Sequence, residues 1–172
     1  MARTTAARVD ATRTIRRLVS RNAFDIGGLG PRTVAGLIEG GLVHTVADLF
    51  TLTDDDLRGL PGFGAIAANR LTAAITSARR IDLDRFLVAL GIPGVGAATA
   101  RMLAERFRTL RAVRYASKGQ LTTGSGIGPA VGDQIARFFG RPANQAAIDA
   151  LLRHDVTVLR YRTRVVATGG SS

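Results

Sequence analysis

The residues best suited to binding chemistry in this sequence are glycines arranged in a repeated triplet. A Gly–apolar–Gly sequence occurs four times, and the first glycines are 34, 32 and 32 residues apart. The triplets are Gly28-Leu29-Gly30, Gly62-Phe63-Gly64, Gly94-Val95-Gly96 and Gly126-Ile127-Gly128. Because glycine allows backbone angles that a Cβ would penalise, each triplet predicts a tight turn with accessible backbone N–H groups. Such groups suit one backbone phosphate, whatever base is attached to it.

Basic side chains accompany the triplets. Candidate contacts to the same phosphates are one arginine near each triplet: Arg32, Arg70, Arg101 and Arg137. The whole chain carries 24 Lys+Arg against 13 Asp+Glu, a net charge of +11. Its acids are concentrated in residues 23–90, which have six arginines and eight acids. This charge balance favours a polyanionic partner, although an arginine-rich protein from a GC-rich genome would share it.

Catalytic and metal-binding chemistry finds little support in the composition. The sequence has no Cys and only two His, which excludes a thiol nucleophile and Cys- or His-rich metal sites. The acidic run Asp54-Asp55-Asp56 is explained as the first turn of a helix rather than as a metal cluster. There is no nucleophile–base pair and no phosphate loop with its lysine, so we expect no enzyme activity and no cofactor. The sequence also lacks an apolar run long enough for a membrane or a signal peptide, which predicts a cytoplasmic, nucleoid-associated protein.

The residues that follow the triplets also repeat, and their spacing indicates the helices that position the glycines. Four residues after each second glycine stand small or slender residues, and seven residues after it stand Leu or Ile. These positions are Val34, Ala68, Ala100 and Gly132, and then Leu37, Leu71, Leu103 and Ile135. Spacings of four and seven lie on one face of a helix, so a helix begins at each triplet and packs against the helix before it. The sequence therefore predicts an all-α fold of tandem helix-hairpin-helix repeats, with four hairpins in two paired units.

The repeat divides the chain into four segments. We predict a basic N-terminal helix over residues 1–22, with Ile15, Leu18 and Val19 packed inward. Residues 23–90 form the first unit, with hairpins at 28–30 and 62–64. Residues 91–156 form the second unit, with hairpins at 94–96 and 126–128, and residues 157–172 form a basic tail. Helical periodicity covers 65–79, 97–107, 129–139 and 143–153, and capping boxes begin at Thr45, Thr53 and Ser117.

Two segments depart from the repeat. Thr122-Thr123-Gly124-Ser125 precedes the fourth triplet where apolar residues are expected, which predicts a short or loose helix. Residues 156–166 alternate in a β-prone pattern, yet no second strand is evident from the sequence. They either pair with a protein partner or form a basic tail.

These features together resemble the helix-hairpin-helix domain of bacterial NAD-dependent DNA ligases. The resemblance covers residues 12–156 and is carried by four stretches: residues 19–26, 41–50, 85–92 and 126–131. It implies a domain that grips duplex DNA from the minor-groove side around a nick, through backbone amides of its hairpins. The family's four-Cys zinc module is absent, as are its adenylation, oligonucleotide-fold and BRCT domains. The adenylation motif Lys-x-Asp-Gly is missing too, because the only lysine, Lys118, is followed by Gly119-Gln120-Leu121.

The leading hypothesis is therefore a non-catalytic module that binds duplex DNA independently of sequence, either a free-standing paralogue of the ligase domain or a fragment of a ligase-like protein. Its target is duplex DNA, nicked or otherwise distorted duplexes included. The alternative is a protein-interaction or scaffolding module that has lost most DNA contacts, which the acidic balance of residues 23–90 fits better.

Overall fold

The fold is that of a computed structural model, which describes residues 12–163. The first half contains a helix over residues 12–18 (α1), α2 (Pro31–Glu39), a 3-10 helix (Ala47–Thr51), α3 (Asp54–Arg58) and α4 (Ala65–Ala78). A short strand, β1 (Arg80–Asp82), connects it to the second half. That half contains α5 (Leu83–Leu90), α6 (Ala97–Phe107), α7 (Leu110–Arg114), α8 (Lys118–Thr122), α9 (Pro129–Gly140), α10 (Pro142–Arg153) and β2 (Thr157–Leu159). The mostly helical fold predicted from the sequence is confirmed.

The core is aliphatic, with a small aromatic cluster in the first half. Every buried side chain of the described residues is apolar. The Phe24 ring lies 5.3 Å from that of Phe50 and 6.1 Å from that of Phe86, measured between centroids. Ile15, Leu18 and Val19 are buried as predicted, while the part of the predicted basic helix before residue 12 lies outside the described residues.

The repeated flanking positions form the helix contacts that their spacing predicts. Each residue four or seven positions after a second glycine is buried, from Val34 and Leu37 in α2 to Gly132 and Ile135 in α9. The four helices predicted from periodicity, at 65–79, 97–107, 129–139 and 143–153, begin and end within one residue of these bounds. The N-terminal helix, predicted to extend to residue 22, ends at residue 18. Before the fourth triplet, α8 has only five residues, in agreement with the short helix predicted there.

The β-prone segment near the C-terminus has a partner inside the chain, which corrects the expectation that no second strand exists. β2 pairs in parallel with β1, in the register Arg80 with Thr157, Ile81 with Val158 and Asp82 with Leu159. Thr157 N–H also donates to the carbonyl of Arg79 at 2.7 Å. Part of the segment expected to be a free tail or a partner strand is therefore held against the end of the first half. Residues 164–166 lie outside the described residues.

Arg79 adds a side-chain connection between the two halves at the same place. Its guanidinium donates to the carbonyl of Phe50 at 2.7 Å and to that of His154 at 2.6 Å. It also lies 6.0 Å from the centroid of the Phe50 ring and 3.5 Å from an Asp155 carboxylate oxygen. One side chain thus joins the 3-10 helix of the first half to the end of α10.

Candidate nucleic-acid interface

The two glycines of each triplet have different conformations. The first glycines, Gly28, Gly62, Gly94 and Gly126, have φ values of +90°, +82°, +78° and +72°. This left-handed region favours glycine and turns the chain between the helices. The second glycines, Gly30, Gly64, Gly96 and Gly128, have φ between −93° and −68° and are the N-caps of α2, α4, α6 and α9.

The N-termini of these four helices lack capping side chains. No side chain of the described residues caps them, and the first intrahelical bond is donated four residues after the second glycine. The earlier N–H groups therefore point outward with positive partial charge. A Cβ built on any second glycine would meet no atom of the described chain within 4 Å. The space in front of these N–H groups is thus open to a ligand.

The apolar residue between the glycines closes each turn from inside. The N–H groups of Leu29, Phe63 and Val95 donate to the carbonyl three residues earlier, at 3.0–3.3 Å. In the fourth hairpin, Ile127 N–H donates instead to the Ser125 hydroxyl at 3.1 Å. Ser125 Oγ thus takes the place of the backbone carbonyl that accepts this bond in the other three hairpins. Leu29, Val95 and Ile127 are buried, whereas Phe63 is half-buried.

The hairpins differ in the number of N–H groups that they offer. Pro31 and Pro129 occupy the first position of α2 and α9 and have no N–H. Ala65 and Ala97 occupy that position in α4 and α6, so the second and third hairpins keep the additional donor. The residue at this position, proline or alanine, can be read from the sequence, but the predicted hairpins were treated as equivalent in their number of donors.

Contacts between neighbouring hairpins arrange them in pairs. A Cβ built on Gly94 would lie 3.2 Å from Val131 of α9, and one built on Gly126 would lie 3.5 Å from Met102 of α6. In the first half, a Cβ on Gly28 would lie 3.5 Å from Leu71 of α4. The third and fourth hairpins thus pack against each other's helices, as the tandem fold requires.

The four candidate arginines are all exposed, and they fall into two groups. Arg32 and Arg70 form no hydrogen bond or ion pair with other described residues. Arg101 Nε donates to Glu105 at 3.0 Å, and this bond raises the pKa of Arg101 further. Arg137 lies 3.4 Å from Asp133 Oδ2. The arginines of the second half are therefore partly neutralised within the protein.

Asp54, one of the acids of the first half, contacts the second hairpin's helix. Asp54 accepts hydrogen bonds from Thr72 and Asn69 of α4, and the Thr72 bond chiefly lowers its pKa. Asp56 completes the predicted capping box with Thr53, which lowers its pKa as well. These carboxylates are ionised at neutral pH and would repel a phosphate near α4. Within residues 12–163, no cluster of three or more His, Cys, Asp or Glu could hold a metal ion.

The structure also groups basic residues that spacing along the chain does not connect. A cleft of about 800 Å³ beside the third hairpin is lined by six arginines, here named the arginine cleft. Its arginines are Arg21, Arg80, Arg85, Arg101, Arg160 and Arg162. Only Arg101 was predicted, because the others come from separate segments and no sequence signal joins them.

Comparison with known proteins identifies relatives of both halves. A family model described as a SAM-like helix-hairpin-helix tandem matches residues 20–76, and one described as a helix-hairpin-helix motif matches residues 85–148. A DNA ligase of Alkalilimnicola ehrlichii is 46% identical over 80% of this chain and 20% of its own length. A DNA ligase of Desulforudis audaxviator is 40% identical over 91% of this chain and 23% of its own. A DNA ligase of Salinibacter ruber is 44% identical over 80% of this chain and 20% of its own length. The chain thus spans about a fifth of the length of these relatives. Within residues 12–163, every helix is too short or too polar to span a lipid bilayer.

Proposed function

We propose that this chain, a tandem helix-hairpin-helix protein similar to one segment of DNA ligases, binds duplex DNA independently of base sequence. The observation that carries the proposal is the set of four uncapped helix N-termini, each with open space in front of its second glycine. Backbone N–H groups in this arrangement donate to phosphate oxygens. Phosphate contacts position a protein on the duplex and carry no base information.

The paired arrangement supports contact with both strands of one duplex. Each pair presents two sets of N–H groups, and the net charge of +11 attracts the polyanion over a distance. Nicked and otherwise distorted duplexes are included among the proposed targets, since contacts to the backbone do not depend on intact stacking. A protein of this kind would be found with the nucleoid.

The salt dependence of binding tests this proposal. Contacts to about 4–8 phosphates should lower the affinity by about 10²–10⁴-fold between 50 and 200 mM salt, from counterion release. Fluorescence anisotropy with labelled duplexes of several sequences measures it. A hundredfold preference for one sequence at equal salt would contradict the proposal. Nicked, gapped, branched and intact duplexes of one sequence then establish which structure is preferred.

We further propose that the chain has no ligase chemistry of its own. Lys118 lies 2.6 Å from Asp133 Oδ1, and the residues after it do not form the adenylation motif. Incubation with NAD or ATP and nicked DNA should give neither a protein–AMP adduct, detected by mass spectrometry, nor a sealed product. An adduct on Lys118 would overturn this prediction.

The alternative of a protein-interaction module has one supporting observation. Tyr115 and Leu152, two of the most exposed large apolar side chains, line one groove with Thr157 and Val158 of β2. A protein partner at this segment would bind in this groove. If the protein fails to bind duplex DNA even at 50 mM salt, this alternative becomes the better hypothesis.

A further inference from the structure

The arginine cleft contains charges that the protein itself does not neutralise. The guanidinium groups of Arg21, Arg80, Arg160 and Arg162 are in exposed residues and form no hydrogen bond or ion pair with other described residues. The acidic residues lining the cleft are Asp82 and Asp84, and neither forms an ion pair there. Like charges that share a cleft repel each other and concentrate a positive potential in it. An anion bound in the cleft would relieve this repulsion.

The remaining two arginines of the cleft are held in place by the protein. Arg85 Nη2 donates to the carbonyl of Arg21 at 2.8 Å and lies 3.8 Å from Asp25 Oδ2. Arg101 is held by Glu105. These contacts fix the wall of the cleft, whereas the four free guanidinium groups are available to a ligand.

Tertiary structure assembles the cleft from distant parts of the chain. The β1–β2 pairing brings the segment after β2 next to Arg80. Tyr161 then anchors that segment to the second half, since its N–H donates to the Arg108 carbonyl at 2.9 Å and its hydroxyl to Glu105 at 3.4 Å. Arg160 and Arg162 flank this anchored residue, so they are positioned in the cleft.

The third hairpin opens directly onto the cleft. Ala97, the first residue of α6, lines the cleft immediately after Gly96, and Arg101 lines it one turn later on the same face. A phosphate held by the uncapped N–H groups of this hairpin would therefore lie at the edge of the cleft. The next phosphates of the same strand would lie within reach of the free arginines.

We propose that the arginine cleft binds the phosphodiester backbone of the DNA strand that the third hairpin grips; this inference rests on the proposed function. The ligand is an extended polyanion, because the free guanidinium groups are distributed around an open cleft of about 800 Å³. The cleft would extend the grip of the third hairpin along the strand, with no contribution to base recognition.

A charge-neutral double variant tests the inference on the full chain. Arg160→Gln combined with Arg162→Gln should weaken binding equally for all duplex sequences. It should also reduce the slope of log K against log salt by about 1 per arginine. The matched control, Arg111→Gln with Arg141→Gln, removes the same charge from exposed positions outside the cleft and should leave the slope near that of the wild type.

The outcomes separate this inference from the proposed function. If the wild type binds DNA, and Gly96→Asp weakens binding while the cleft variant keeps the wild-type slope, the cleft inference is wrong and the proposed function stands. An equal change in the control variant would show a general charge effect and would also overturn the inference. Inorganic phosphate titrated at constant ionic strength should not displace the duplex, and displacement would indicate a site for a single free phosphate instead. Failure of the wild type to bind any duplex would overturn both proposals.

Discussion

At the scale of single residues, the two glycines of each triplet have separable roles. The first glycine is required by the fold, since its φ is positive in all four hairpins. The second has negative φ and open space, so the fold tolerates a side chain there. An aspartate at an N-cap even favours a helix. Substitution of the second glycine should therefore change DNA binding without unfolding the protein.

We predict that Gly96→Asp weakens duplex binding by about 1–3 kcal/mol, the range for leaving a hydrogen-bonding group without its partner. The carboxylate would occupy the place of a phosphate oxygen and repel it. Gly64→Asp should have a smaller effect, because Asp54 of α3 already contacts the helix of the second hairpin and repels phosphate there. Anisotropy titrations at one salt concentration compare the two variants.

Circular dichroism provides the control for this comparison. Both variants should keep wild-type helicity, whereas Gly94→Ala should lose stability, because Gly94 has φ +78° and a Cβ there would lie 3.2 Å from Val131. If folded Gly64→Asp abolished binding while Gly96→Asp left it intact, the first half would be the stronger DNA grip.

At the scale of secondary structure, capping explains how five-residue helices persist. Thr53 and Ser117 form reciprocal capping boxes with Asp56 and Gln120 at the starts of α3 and α8. The box predicted at Thr45 forms in part: Asp48 accepts from the N–H groups of His44 and Thr45, and the 3-10 helix begins at Ala47. Helices this short depend on such caps and on burial of Leu57 or Leu121.

Loss of one cap should have a measurable effect on stability. We predict that Thr53→Ala lowers the free energy of unfolding by about 1 kcal/mol, because the N–H of Asp56 loses its acceptor. Urea denaturation followed by circular dichroism measures the change. Thr53→Ser retains the hydroxyl and should remain close to the wild type; equal losses in both variants would contradict the capping explanation.

At the scale of the whole molecule, Arg79 connects the two halves. We predict that Arg79→Gln lowers the free energy of unfolding by about 1.5–3 kcal/mol, since two charged hydrogen bonds to backbone carbonyls are lost. Thermal unfolding measures this effect. The neighbouring Arg80→Gln is the control, because Arg80 is exposed and forms no side-chain bond within residues 12–163. Equal destabilisation by the two variants would refute the role assigned to Arg79.

Stability should also fall in acid. Hydrogen bonding chiefly from Arg114 lowers the pKa of Asp149, and that from Lys118 lowers the pKa of Asp133. Burial raises the pKa of Asp48, but its bonds to the Thr45 and His44 N–H groups outweigh this and lower it. A carboxyl group whose pKa is lower in the folded state than in the unfolded state stabilises the fold at pH values above its unfolded pKa, which is near 4. This contribution disappears as the pH falls through the pKa of the folded state.

We therefore predict a midpoint temperature that is nearly constant from pH 7 to 5 and decreases below about pH 4. Scanning calorimetry across this range measures it. Asp149→Asn removes one of the titrating groups, and it should start from a lower midpoint and decrease less steeply. A variant with the same slope as the wild type would show that the Arg114–Asp149 pair does not contribute.

The local elements of this protein follow from its sequence because their causes are local. The glycine triplets, the positions four and seven residues after them, and the capping boxes each act within about two turns of helix. These signals were sufficient to predict the tandem hairpins, the core face of each helix after a triplet and the short α8. The division into units 23–90 and 91–156, and the assignment of individual DNA contacts, stay predictions.

Contacts between distant segments were decided only by the tertiary structure. The three-residue strand β1 has no signal of its own, and it forms because β2, far along the chain, packs beside it. The same pairing places Arg160 and Arg162 in the arginine cleft with Arg21 and Arg80. Periodicity records which face of an element is buried, but not which other element covers it. For that reason the sequence determined the four hairpins of this protein. The hydrogen bonds of Arg79 to both halves and the grouping of arginines in the arginine cleft depended on how the two halves pack.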